Sequence, residues 1–83
     1  MARHRVLVEQ GDGWLVAVVP ALPGVLTQGR DEDELRFMVL DALRLMVADA
    51  VERSDDAFLR AAGDEPWELD LEYDTPARAP SAA

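Results

Sequence analysis

The sequence predicts an α+β fold of element order β-β-β-α-β, with one mixed sheet and the main helix on one of its faces. Three observations carry that prediction. Residues 3–29 hold three short apolar runs separated by glycine- and proline-rich turns. Residues 35–51 repeat their apolar positions at helical spacing, behind a run of four acids. Residues 67–74 alternate strictly between apolar and acidic side chains.

Each element follows from its residues. Arg3–Gln10 has strand character, with Val6 and Val8 on one side and Arg5, Leu7 and Glu9 on the other. In Gln10-Gly11-Asp12-Gly13, two glycines and an Asp supply the positive φ angles that a tight hairpin needs. Trp14–Val19 is apolar on both faces, the pattern of a central strand covered on both sides. Pro20 lacks the donor that a continuing ladder requires, so the strand ends there or becomes an edge. Pro23 and Gly24 fit the two central positions of a type II turn. Residues 24–29 then form a short third strand closed by Gly29, which completes an antiparallel meander.

Asp31 can cap the helix through its carboxylate, and Glu34 can reach back to the cap N–H. The four acids Asp31–Glu34 also suit the positive end of the helix dipole. Leu35, Met38, Val39, Ala42, Leu43, Met46 and Ala50 form one apolar stripe. Leu40, Val47 and Val51 form a second row beside it, giving an arc of roughly 200°, against about 100° for a helix that packs on one side only. Phe37 falls on the opposite, charged face. Ser54 or Asp55 can cap a short second helix, Asp56–Ala62, ended by Gly63; one unbroken helix through this region is the alternative. Pro66 introduces a fourth strand, Trp67–Asp74, that buries one face and turns Glu68, Asp70, Glu72 and Asp74 to solvent. A helix between the third and fourth strands lets the fourth enter the same sheet by a right-handed crossover. Residues 1–74 are read as one domain, and the Pro/Ala/Ser-rich residues 75–83 as a disordered tail.

Composition excludes several classes. The 83 residues carry 17 acids against 8 arginines, a formal net charge of −9. A field of that sign repels phosphate backbones, so no direct nucleic-acid binding is expected, and a basic protein suits the chain better. With no Cys there is no disulfide, thiolate nucleophile or zinc–thiolate site. One His is too few for a histidine metal cage, and no cofactor is expected. The apolar stretch Trp14–Leu26 is interrupted by Pro20, Pro23 and Gly24 and falls short of the roughly 20 residues of a membrane span. The basic start, Met1–Arg5, is followed by an apolar run that breaks at Glu9, unlike an export signal. A soluble cytoplasmic protein is expected.

The run Val6-Leu7-Val8, Gly13-Trp14, Val16–Pro20, Leu22-Pro23-Gly24-Val25, Thr27-Gln28-Gly29 and the Asp31–Glu34 helix opening resembles the HicB-like antitoxin family. The resemblance covers residues 3 to 50, with compatible elements to Asp74. It implies a partial ribonuclease H-like fold and a non-enzymatic role in a type II toxin–antitoxin pair. In such pairs the toxin is a small basic ribonuclease of the HicA kind, and the antitoxin covers its active site. Ala21 departs from a frequent acid, and Leu35 from a frequent Ala. Many members carry a DNA-binding module after this domain; only nine residues follow Asp74 here, so the resemblance is to a stand-alone domain and DNA binding is not carried over.

The candidate sites have plainer readings beside them. A two-metal nuclease site needs converging carboxylates; the chain offers Glu9, Asp41, Asp49 and Asp70, and no nuclease activity is expected. Ser54 and Ser81 have no His nearby in sequence, and His4 reads as an exposed strand-start residue. The acidic row of Glu68, Asp70, Glu72 and Asp74 reads as a solvated face that protects an edge strand, or as a phosphate-mimicking surface for a basic toxin. Trp14 and Trp67 read as core, whereas Phe37 is hard to bury in a monomer and suits an interface. The second face of the central strand and the row Leu40, Val47, Val51 exceed what one small domain can bury, which predicts a homodimer or larger. The alternative to an antitoxin is a stand-alone oligomer without a toxin, with a small ligand between protomers.

Overall fold

The computed structural model describes residues 2–74, and the expected disordered tail lies outside them. Six elements follow in order: β1 (Ala2–Gln10), β2 (Leu15–Val18), β3 (Leu26–Gly29), α1 (Glu32–Arg53), α2 (Asp56–Ala62) and β4 (Trp67–Tyr73). The four strands form one mixed sheet in the order β3-β2-β1-β4. β1–β2 and β2–β3 are antiparallel, and β4 returns beside β1 in parallel, from Ala2↔Trp67 to Val8↔Tyr73. The α+β class and the single mixed sheet with its main helix are as the sequence predicts.

The turns are built as their residues require. The Gly11 N–H donates to the Trp14 carbonyl at 2.8 Å to close the first hairpin, and Gly13 has φ 77°. The Val25 N–H donates to the Leu22 carbonyl across Pro23-Gly24, and Gly24 sits at φ 99°, the positive value that the third position of a type II turn demands. β2 stops at Val18 for a chemical reason. The next ladder position opposite Arg5 belongs to Pro20, which has no N–H to give.

The helix opening differs from expectation in one detail. The Asp31 carboxylate accepts from the Glu34 N–H at 2.8 Å, as a cap should, but Glu34 reaches one residue further back and accepts from the Arg30 N–H at 2.6 Å. The two-helix alternative is the correct one. Ser54 adopts the left-handed conformation, φ 55° and ψ 41°, and the Asp55 carboxylate then caps α2 at the Phe58 N–H.

The core lies between α1 and one sheet face. Val6, Val8, Leu15, Ala17 and Val19 face Leu35, Val39 and Leu43, and the loop residues Leu22 and Val25 close the end. At full burial each large aliphatic side chain contributes about 1.5–3 kcal/mol. His4 is a correction: it is buried, not exposed. It shares the core-facing parity of Val6 and Val8, and its ring Nε2–H donates to the Ala62 carbonyl at 2.7 Å, tying β1 to the end of α2.

α1 runs antiparallel to β4 and is stitched to it by three side-chain bridges. Tyr73 Oη–H donates to Glu32, Arg36 Nη1 donates to the Leu69 carbonyl, and Arg44 pairs with Glu65 at 2.8 Å. These bridges lie along the outer edge of β4, where the backbone groups of Leu69 have no strand to pair with. No helix among the described residues is long and apolar enough to cross a membrane.

Candidate binding face

The sheet face turned away from α1 is where the unabsorbed chemistry collects. Alternation along each strand places Leu26 and Gln28 of β3, Val16 and Val18 of β2 with the preceding Trp14, the odd residues of β1 and the even residues of β4 on this side. Strand register then aligns them into rows. Leu26, Val18 and Leu7 form an apolar row that ends at Glu72. Gln28, Val16 and Glu9 form the next, and Asp74 continues β4 beside Glu9. An open depression of about 490 Å³ lies where these rows meet, lined by Leu7, Val16 and Val18 with Glu9, Glu72 and Asp74 around it.

Charges on this face divide into two groups. At the start of β1, Arg3 bonds both Glu68 and Asp70, and Arg5 grips Glu72 through two bonds of 2.9 Å. The Arg5 hydrogen bond holds the Glu72 carboxyl below its ordinary range, and the same bond pushes the Arg5 guanidinium up. The expected row of solvated acids is therefore a cross-strand ion-pair ladder. At the other end, Glu9 and Asp74 stand beside each other, and among the described residues neither belongs to an ion pair. Like charges side by side across two strands repel. That end of the face carries the uncompensated negative charge.

Trp14 lies on this face rather than in the core. It is 41% exposed, with the Arg30 guanidinium 5.6 Å from its ring centre. Trp67 does pack against the core, and its indole N–H donates to the Gly63 carbonyl.

The other sequence-predicted site residues are scattered. Phe37 is 62% exposed on the far side of α1, well away from the sheet. Leu40 and Val47 are half-buried inside the chain, Leu40 beside Trp67 and Val47 against the core, and Val51 is exposed. The over-wide arc of α1 is thus partly used by the chain's own β4. Gly13, Pro20, Pro23 and Gly24 lie in turns, Gly29 ends β3 and Asp31 caps α1, whereas Glu34 accepts from the Arg30 N–H instead of the cap N–H. The sequence already sets Asp74 in the acidic row and leaves a second face of the central strand unburied, but it does not single out Leu7 or bring Glu9 and Asp74 together. Their parity was readable, but their convergence depends on β4 pairing with β1.

The carboxylates considered for metal chemistry do not converge. Asp70 points to the open face and bonds Arg3, while Asp41 and Asp49 lie on the exposed side of α1, across the sheet from it. Among the described residues no group of three His, Cys, Asp or Glu side chains is placed to hold a metal ion. Compared with family models, with curated proteins and with solved structures, the chain matches none.

Proposed function

We propose that this chain is a non-enzymatic binding protein of the HicB-like antitoxin kind, which covers a small basic ribonuclease toxin with the open face of its sheet. One observation carries the reading. A four-stranded sheet has left one face without a covering layer, and that face combines an apolar floor of Leu7, Val16 and Val18 with uncompensated acids at Glu9 and Asp74. An apolar centre ringed by charge of one sign is how a surface steers an oppositely charged protein and then holds it. The resemblance of residues 3–50 supplies the class of partner.

The ladder refines which acids matter. Glu68, Asp70 and Glu72 share the two arginines Arg3 and Arg5, so steering falls chiefly to Glu9 and Asp74, which belong to no ion pair among the described residues. The test is titration calorimetry against the small basic protein encoded beside this chain's gene, at low and at physiological salt. Binding is expected, and it should weaken as salt shortens the Debye length from about 30 Å at 0.01 M to about 8 Å at 0.15 M. Glu9→Gln with Asp74→Asn should reduce the salt dependence, and Glu68→Gln should leave it nearly unchanged. Absence of binding at low salt, or of any such partner gene, overturns the reading.

A further inference from the structure

We infer that the outer edge of β3 is a self-association surface, on which a second copy of this chain lays its own β3 antiparallel across a two-fold axis. The argument begins with backbone parity. The Val19 N–H donates to the Val25 carbonyl, which makes Val19·Val25 a hydrogen-bonded pair of the β2–β3 ladder. Hydrogen-bonded positions alternate along an antiparallel pair. Thr27 and Gly29 therefore bond inward to β2, and Leu26 and Gln28 turn their N–H and C=O groups outward.

The two edges of the sheet are treated differently. The β4 edge is guarded by Arg36 on the Leu69 carbonyl, by the other α1 bridges beside it, and by a charge at every second residue. Such devices are the usual defence against edge pairing. Residues 25–29 carry no charge and no proline, and no side chain among the described residues bonds the outward groups of Leu26 or Gln28. Leu26 is 65% exposed.

Self-pairing satisfies this edge better than an arbitrary strand would. In the register that sets Thr27 opposite its own two-fold mate, Leu26 faces Gln28 of the other copy and all outward groups are used, in four hydrogen bonds. The apolar row Leu7–Val18–Leu26 then meets the second copy's Gln28, with the second Leu26 on the diagonal, instead of ending in water. Charge also favours this meeting place. Two chains of −9 repel, and the β3 edge brings uncharged segments together. Leu45, 65% exposed, lies about 140° around α1 from Leu40, away from the flank that reaches β4. A four-residue edge buries less than the 1,200–2,000 Å² of a standard interface, so the dimer is concentration-dependent.

The prediction is independent of toxin binding and has the opposite salt dependence: raising salt screens the mutual repulsion and strengthens the dimer. Sedimentation equilibrium on the full chain in 0.5 M salt should show a monomer–dimer equilibrium. Gln28→Pro removes only an outward N–H, which an edge strand tolerates. It should weaken dimerisation about thirtyfold, because two of four hydrogen bonds vanish at roughly fivefold each. Thr27→Cys introduces the only thiol of the chain. Facing non-hydrogen-bonded residues lie about 4.5 Å apart at Cα, within disulfide range, so mild oxidation should link Thr27→Cys into dimers far faster than the exposed control Ala61→Cys. A strictly monomeric mass, a dimer indifferent to Gln28→Pro, or equal cross-linking of the two cysteine variants overturns the inference.

Discussion

Gly29 leaves no room for a Cβ against the start of α1, and Gly29→Ala tests whether that close approach sets the docking of the helix. A Cβ built at Gly29 lies 2.7 Å from the Leu35 N and 2.9 Å from its Cα. That is about 0.7 Å inside ordinary van der Waals contact, and both partners are backbone, so no side chain can swing away. Overpacking of this kind costs about 1–3 kcal/mol. Gly29 is not in the positive-φ region, so alanine is otherwise allowed there and returns about 0.4–1 kcal/mol by restricting the unfolded chain. A net loss of about 1–2 kcal/mol remains. At roughly 4–8 °C per kcal/mol for a domain of this size, Tm should fall by about 5–15 °C in a circular-dichroism melt. Gly11→Ala is the matched control, since its Cβ would meet nothing closer than the Trp14 carbonyl at 3.9 Å. Gly29→Ala melting at or above the parent temperature would refute the close-approach argument.

Ser54 holds a left-handed conformation that costs a non-glycine residue about 1–2 kcal/mol; after the entropy lost by glycine, Ser54→Gly should stabilise the chain by about 0.5–1 kcal/mol in urea titration. Leu22, fully buried although it sits in a loop, plugs the end of the core, and Leu22→Ala should cost about 2–5 kcal/mol by the same method. Acid should destabilise the fold. Glu72 is held below its ordinary range by the Arg5 hydrogen bond, Glu32 by Tyr73 and then Arg36, and Asp55 by the Phe58 N–H and then Arg53. Carboxyls lowered in the folded state contribute stability that is present above their unfolded pKa, about 4, and lost as pH falls through the folded value. Melts from pH 7 to pH 2 should show Tm dropping below about pH 4.5, with a shallower drop in Glu72→Gln; a flat profile would contradict the ion-pair ladder.

Local features of the fold were legible in residues 3–74, as was the entry of the fourth strand into the same sheet, but the side-chain pairings that its register creates were not. The Pro23-Gly24 turn and the Asp31 cap follow from a few neighbouring residues, so the sequence predicts them directly, whereas it leaves both a separate α2 and one unbroken helix open. The break at Ser54 has no composition signal because serine is uncommon in the left-handed region, where the Ser54 and Asp55 N–H groups turn back onto the Val51 and Ala50 carbonyls. The row Glu68, Asp70, Glu72 reads as solvated until β4 is set beside β1, since Arg3 and Arg5 lie more than sixty positions away. His4 shows a different failure. Its parity matches Val6 and Val8, yet a polar ring reads as exposed unless a buried acceptor is at hand, and that acceptor, the Ala62 carbonyl, lies 58 positions away.

These corrections change what the net charge can do. The most conspicuous acids of the sequence, those of β4, are all engaged, because the parallel partner strand sets Arg3 against Glu68 and Asp70 and Arg5 against Glu72. Asp31 and Glu34 are occupied by backbone donors at the helix start. On the open face the field is left to Glu9 and Asp74, with Asp12 on the exposed turn that follows β1. These three cluster at the hairpin end of the sheet, next to the apolar depression, whereas the uncharged edge of β3 lies two strands away. A basic protein and a second copy of the chain would then approach different borders of the same face. That separation follows from register alone, and it makes a complex of two chains with two partners geometrically consistent.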